Sequence, residues 1–136
     1  MRDNLQLIAI THRAGQIAEA LFNEAMGRHD ITARQAQILA AIATGAGASQ
    51  THLVERTGID RSTLSEICRR LARKGLVTRR RTREDARVFT LKLTPEGADV
   101  LRRAQTAAAS AARKARFHII GLEDLRIITE ASEAAE

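Results

Sequence analysis

Apolar residues recur along the first 26 positions at helical rather than strand spacing. Leu5, Ile8, Ile17, Leu21, Phe22 and Ala25 step mostly by three and four. They predict a long first helix over residues 4–26, with Gly27 as its stop. Thr32 is a natural N-cap for the segment ARQAQILAAIA, whose Ile38, Leu39 and Ile42 form a short stripe. The glycines of TGAGA then end that helix in a turn. Ser49 is set to cap a third helix, QTHLVERT, which Gly58 ends. Asp60 caps a fourth, RSTLSEICRRLARK over 61–74, which Gly75 ends. Two short helices joined by a glycine-bearing turn make a helix-turn-helix pattern.

Beyond Gly75 the period changes. Leu76 and Val77 lead into a basic run, and Phe89, Leu91 and Leu93 alternate with Thr90 and Lys92. A period of two marks half-buried strands, so residues 76–93 read as a β-hairpin with 82–86 at its tip. Thr94-Pro95-Glu96 then opens a helix: a capping hydroxyl, proline at the first helical position, an acid in the first turn. That helix places Leu101, Ala104, Ala108, Ala111 and Ala115 three and four apart, a small-residue seam that lets another helix approach. A last amphipathic helix is expected over 123–134, with Leu125, Ile128 and Ala131 on one side. No repeat and no linker interrupts the pattern, so one domain over 1–136 is expected.

Composition narrows the class. Alanine dominates the apolar residues, and there are three Phe, no Tyr and no Trp. Such a chain favours closely packed helices over a sandwich or barrel. The single cysteine excludes an intrachain disulfide framework and fits a reducing cytoplasm. The first residues, MRDNLQLIAITHR, lack the continuous apolar core of a secretion signal, and no apolar run is long enough to span a bilayer. A cytoplasmic protein is expected.

Charge sharpens the picture. The chain carries +6, but residues 61–87 hold ten Lys and Arg against Glu66, Glu84 and Asp85, a net +7, so the rest sums to −1. Five of those arginines stand within 79–87. A basic patch confined to one segment is the footprint of a nucleic-acid binder; the bland alternative is a solvated basic surface.

The residues from 32 to 97 resemble the MarR family of winged helix-turn-helix transcription factors. The resemblance rests on RKGLVTR (73–79) leaving the fourth helix, DAR (85–87) in the hairpin, and LTPEG (93–97) after its second strand. It implies a mainly α fold with a small β-hairpin wing: a winged helix-turn-helix lobe over 32–94, flanked by dimerisation helices over 1–27 and 95–136. It also implies a homodimer that binds a pseudo-palindromic operator in double-stranded DNA, usually to repress, often released by a small molecule. Two other readings stay open: a sequence-tolerant architectural DNA binder, and a co-regulator that needs a protein partner.

Phasing the fourth helix at 100° per residue puts Leu64, Ile67, Cys68 and Leu71 toward a core. The opposite side carries Ser62, Ser65, Glu66, Arg69 and Arg73, with Arg61 and Thr63 flanking at the start. Residues near the start of such a helix reach base edges in the major groove. Glu66 either accepts from cytosine or pairs within the helix with Arg69 or Arg70. Arg73 and Lys74 either meet phosphate or complement the helix dipole. Ser49, Gln50 and Thr51 start the preceding helix, where free N–H groups and small hydroxyls can hold a phosphate, or where Ser49 simply caps. In the wing, Arg79, Arg80, Arg81 and Arg83 are phosphate candidates. By resemblance, Arg87 enters the minor groove, with Arg83 second. Asp85 either orients that arginine or stabilises the turn.

Nothing points to catalysis, a metal or a cofactor. His12, His29, His52 and His118 are scattered, without metal-ligand spacing. Cys68 falls on the apolar face, where a thiol is usually inert packing, with redox sensing as the alternative. Family effector sites lie between the dimerisation helices and the DNA-binding lobe; the candidates here are His12, Arg13, Gln16 and Arg34. Without Tyr or Trp, the walls that suit phenolic ligands are missing.

Overall fold

The computed structural model describes residues 2–27, 31–44, 48–84, 88–118 and Glu130. These form α1 (Arg2–Met26), α2 (Ala33–Ala43), β1 (Ala48–Ser49), α3 (Gln50–Thr57), α4 (Arg61–Arg73), β2 (Val77–Arg81), β3 (Phe89–Leu93) and α5 (Pro95–His118). The helix expected over 123–134 lies outside the described residues except for Glu130, which is helical. The chain divides into two compact units, Asp30–Gln105 and Met1–His29 with Thr106–Glu136.

In the first unit each helix starts where its cap chemistry places it. Thr32 makes a capping box: its hydroxyl accepts from the Gln35 N–H at 3.1 Å, and the Gln35 side chain accepts from the Thr32 N–H at 3.2 Å. Ser49 accepts from the His52 N–H and Asp60 from the Thr63 N–H. The core under these helices is aliphatic. Ile38, Leu39, Ile42, Leu53, Leu64, Cys68, Leu71 and Leu91 are almost wholly buried. Ile67, expected among them, is only half-buried.

The hairpin carries an additional strand. β3 pairs antiparallel with β2 (Val77 opposite Leu93, Arg79 opposite Leu91, Arg81 opposite Phe89) and, on its other edge, with β1 (Ala48 opposite Leu91). The sheet order is β1-β3-β2. β1 is two residues long and apolar only at Ala48, so no alternation announces it; Ser49 serves both as strand residue and as the cap of α3.

The motifs RKGLVTR and LTPEG prove to be two halves of one joint. α4 ends in a Schellman turn: the Leu76 N–H donates to the Leu71 carbonyl and the Gly75 N–H to that of Ala72, both at 3.0 Å. Gly75 supplies the φ of 74° this turn requires. The Thr94 hydroxyl donates to the Gly75 carbonyl at 2.6 Å and accepts from the Gly97 N–H at 3.0 Å. The Thr94 N–H donates to the Leu76 carbonyl at 3.0 Å. That same carbonyl sits where a side chain on Gly97 would begin, so only glycine lets the start of α5 close onto the end of α4. The joint fixes the direction in which the hairpin leaves α4.

In the second unit Ile10, Phe22 and Met26 of α1 are buried, as are Ala107 and Ala111 of α5, while Leu5 and Ile8 remain 74% and 64% exposed. Within the single chain the seam expected on α5 is covered unevenly. Ala108 is exposed and Ala107 is buried in its place. Residues 107 and 108 straddle the line from Ala104 to Ala111, and packing takes the 107 side. Ala115 is half-buried. No described helix is long and apolar enough to cross a membrane.

Candidate nucleic-acid interface

The starts of α3 and α4 are tied to each other by two side-chain hydrogen bonds. Gln50 Nε2 donates to the Ser65 hydroxyl at 3.2 Å, and Arg61 Nη2 donates to the Thr51 hydroxyl at 3.0 Å. The Asp60 carboxylate accepts three hydrogen bonds: from Thr63 Oγ1 at 2.6 Å, from the Thr63 N–H at 2.9 Å and from Ser62 Oγ at 2.8 Å. These bonds, the Thr63 hydroxyl first, lower its pKa from 3.8 to about 2. Arg61 and Ser62 are exposed; Thr63 and Ser65 are half-buried. The helix-turn-helix thus presents a polar edge whose rotamers are already held.

Further along α4, Glu66 is engaged by three guanidiniums: Arg70 at 3.2 Å, and Arg69 and Arg73 each at 3.9 Å. Of the two roles open to Glu66, the intrahelical pair is the one formed. All four side chains are about half exposed or more, so each pair contributes little to stability. Their effect is arrangement. One carboxylate gathers three cations into a cluster of net +2 on the exposed side of α4. Opposite it lie Leu64, Cys68 and Leu71. Burial pushes the Cys68 thiol up, with the Arg79 charge opposing in part.

The basic hairpin sorts by strand alternation. Val77, Arg79 and Arg81 share a face with Leu93, Leu91 and Phe89; Thr78 and Arg80 share the other with Lys92 and Thr90. Arg79 is half-buried, its guanidinium 4.4 Å from the Phe89 ring centroid, and its Nε is buried without a hydrogen-bond partner. Arg81 lies 5.6 Å over the same ring. Arg80 is exposed, as is Lys92, which was not among the DNA-contact candidates. The signal was available: with Val77 and Leu91 apolar, a period of two puts Arg80 and Lys92 together. Arg83 is exposed near the tip; Asp85 and Arg87 lie outside the described residues.

The effector candidates are distributed over both units. His12, Arg13 and Gln16 are exposed on α1, and Arg13 lines a small open hollow with Gln6, Ala9 and Ile10. Arg34 is exposed on α2 in the other unit. His29 and the side chain of His118 lie outside the described residues. Among the described residues no three His, Cys, Asp or Glu converge as metal ligands.

The model of the MarR family matches residues 29–88. The homoprotocatechuate degradative operon repressor of Escherichia coli is 32% identical over 114 residues, covering 84% of this chain and 76% of the repressor. The PcaV transcriptional regulator of Streptomyces coelicolor, solved in complex with its natural ligand, superposes with a TM-score of 0.75 at 32% identity, covering 93% of this chain and 91% of PcaV. BpsR of Bordetella bronchiseptica, whose DNA binding is regulated by 6-hydroxynicotinic acid, shares the fold with a TM-score of 0.79 at 22% identity, over 96% of this chain and 99% of its own.

Proposed function

Because this chain belongs to the MarR family of DNA-binding transcriptional regulators, we propose that it is a cytoplasmic, non-enzymatic homodimeric repressor of a pseudo-palindromic operator. In this reading α4 enters the major groove, and the β2–β3 hairpin reaches the flanking phosphates and minor groove. One observation carries it: the polar start of α4 is bonded to the start of α3 through Gln50–Ser65 and Arg61–Thr51. Two helix starts held in one surface offer base-reading side chains (Arg61, Ser62, Thr63, Ser65) beside the start of α3, where the first-turn N–H groups of Gln50 and Thr51 and the hydroxyls of Ser49 and Thr51 suit a phosphate. Arg69, Arg70 and Arg73, gathered by Glu66, extend the positive surface along α4, and Arg80, Arg83 and Lys92 extend it along the hairpin.

The dimer is assigned to residues 1–27 and 95–136. The exposed Leu5 and Ile8 on α1 support this, since a lone helix in water gains nothing from such a pair. Repression follows the named activity of the Escherichia coli relative. Release by a small molecule follows PcaV and its ligand; in a chain without Tyr or Trp such a molecule would meet no phenol or indole side chain. DNase I footprinting on the DNA upstream of this gene tests the reading. It predicts two protected half-sites centred about one helical turn, roughly 34 Å, apart. Uniform protection at all sequences would contradict it and favour an architectural binder.

A further inference from the structure

Resting on that reading, we propose that Asp60, the cap residue of α4, sets the base preference of the recognition helix by fixing the hydrogen-bond polarity of Ser62 and Thr63. A serine or threonine hydroxyl has one proton and two lone pairs, and is ordinarily free to donate or accept. An ionised carboxylate only accepts. Asp60 Oδ1 lies 2.8 Å from Ser62 Oγ, and Oδ2 lies 2.6 Å from Thr63 Oγ1. Both hydroxyl protons therefore point back at Asp60, and both side chains present lone pairs outward.

Ser65 has the opposite polarity. Its oxygen accepts from Gln50 Nε2 at 3.2 Å, which leaves its proton uncommitted. Arg61, held by Thr51, only donates. The start of α4 thus reads donor, acceptor, acceptor, donor at 61, 62, 63 and 65. In the major groove only adenine N6 and cytosine N4 donate, whereas guanine O6 and N7, thymine O4 and adenine N7 accept. The bases opposite Ser62 and Thr63 should accordingly be adenine or cytosine on the contacted strand, because guanine or thymine would bring lone pair against lone pair.

The test is binding-site selection from a randomised duplex library, with wild-type protein and the Asp60→Asn variant. Asparagine caps a helix as well as aspartate does. Its amide nitrogen cannot accept the Thr63 proton, however, and donates to that oxygen instead, which turns the hydroxyl outward as a donor. The wild type should favour adenine or cytosine roughly tenfold at one or two positions of each half-site. In Asp60→Asn the preference opposite Thr63, whose partner Oδ2 becomes the amide nitrogen, should fall to about twofold or less, or pass to guanine and thymine, while the position opposite Ser62, whose partner Oδ1 still accepts, the remaining positions and the salt slope stay unchanged. Identical profiles from the two folded proteins would overturn the role of Asp60 and leave the regulator reading intact. No motif from the wild type would remove both. Should Asp60→Asn lose its helical circular dichroism, Ser62→Ala and Thr63→Val decide. Loss of the adenine or cytosine preference in them supports the proposal, and its persistence overturns it.

Discussion

Strand alternation in the hairpin makes a quantitative prediction that neighbouring arginines differ in kind. Arg80 is exposed on the face it shares with Thr78, Thr90 and Lys92. Arg79 is half-buried against Phe89, with its Nε out of reach of solvent. A phosphate contact contributes about 0.9 to the slope of log affinity against log salt. In a dimer, Arg80→Ala removes two contacts and should lower the slope by about 1.8. Over a fourfold rise in salt, wild-type affinity should then fall about twelvefold further than that of the variant. Arg79→Ala should leave the slope unchanged. It loses a cation–π contact of about 0.5–1 kcal/mol, but also removes a buried unpaired N–H that costs about 1–3 kcal/mol. Its thermal stability should therefore hold or rise, by about 0–2.5 kcal/mol. The assay is fluorescence anisotropy of a labelled operator duplex between 50 and 200 mM salt, beside thermal melts of each variant. Equal slope changes for the two variants would refute the argument, as would an unchanged slope for Arg80→Ala.

Three further outcomes are expected. Gly97→Ala should destabilise by about 3 kcal/mol or more, because the new methyl would overlap the Leu76 carbonyl oxygen and lie 2.9 Å from its carbon; urea melts of purified protein read this, and a midpoint like the wild type's would disprove the joint. Asp60, with a folded pKa of about 2 against 3.8, stabilises the fold above pH 3.8 and loses that contribution as pH falls toward 2. Acid titration by circular dichroism should show this step in the wild type and not in Asp60→Asn. Cys68 is fully buried with its thiol pushed up, so maleimide labelling at pH 7 should be slow in native protein and fast in urea; rapid native labelling would place the thiol elsewhere.

What the sequence made legible was local chemistry. Thr32, Ser49, Asp60 and Thr94 each satisfy an N–H three residues ahead, so the starts of α2 to α5 can be read within one turn. The apolar stripe of α4 depends only on helical phase, and Leu64, Cys68 and Leu71 fall where that phase puts them. Features that depend on distant segments were not legible. β1 exists because Ala48 meets Leu91 across more than forty positions. The Gln50–Ser65 and Arg61–Thr51 bonds need the angle between two helices, which no spacing encodes. Gly97 reads as an ordinary first-turn glycine until the Leu76 carbonyl is in place above it. The exposure of Ala108 in place of Ala107 shows the same boundary: periodicity finds the stripe, and the neighbour decides which shoulder is covered.

The central claim is that this protein distinguishes one DNA sequence from others through the start of α4. The most direct test is an anisotropy titration at near-physiological salt, with a duplex from upstream of its own gene beside a scrambled duplex, for wild type and Arg61→Ala. The account predicts that wild type prefers the native duplex by about a thousandfold or more, and that the preference shrinks sharply in Arg61→Ala. Equal binding of both duplexes by wild type, fading together as salt rises, would contradict it.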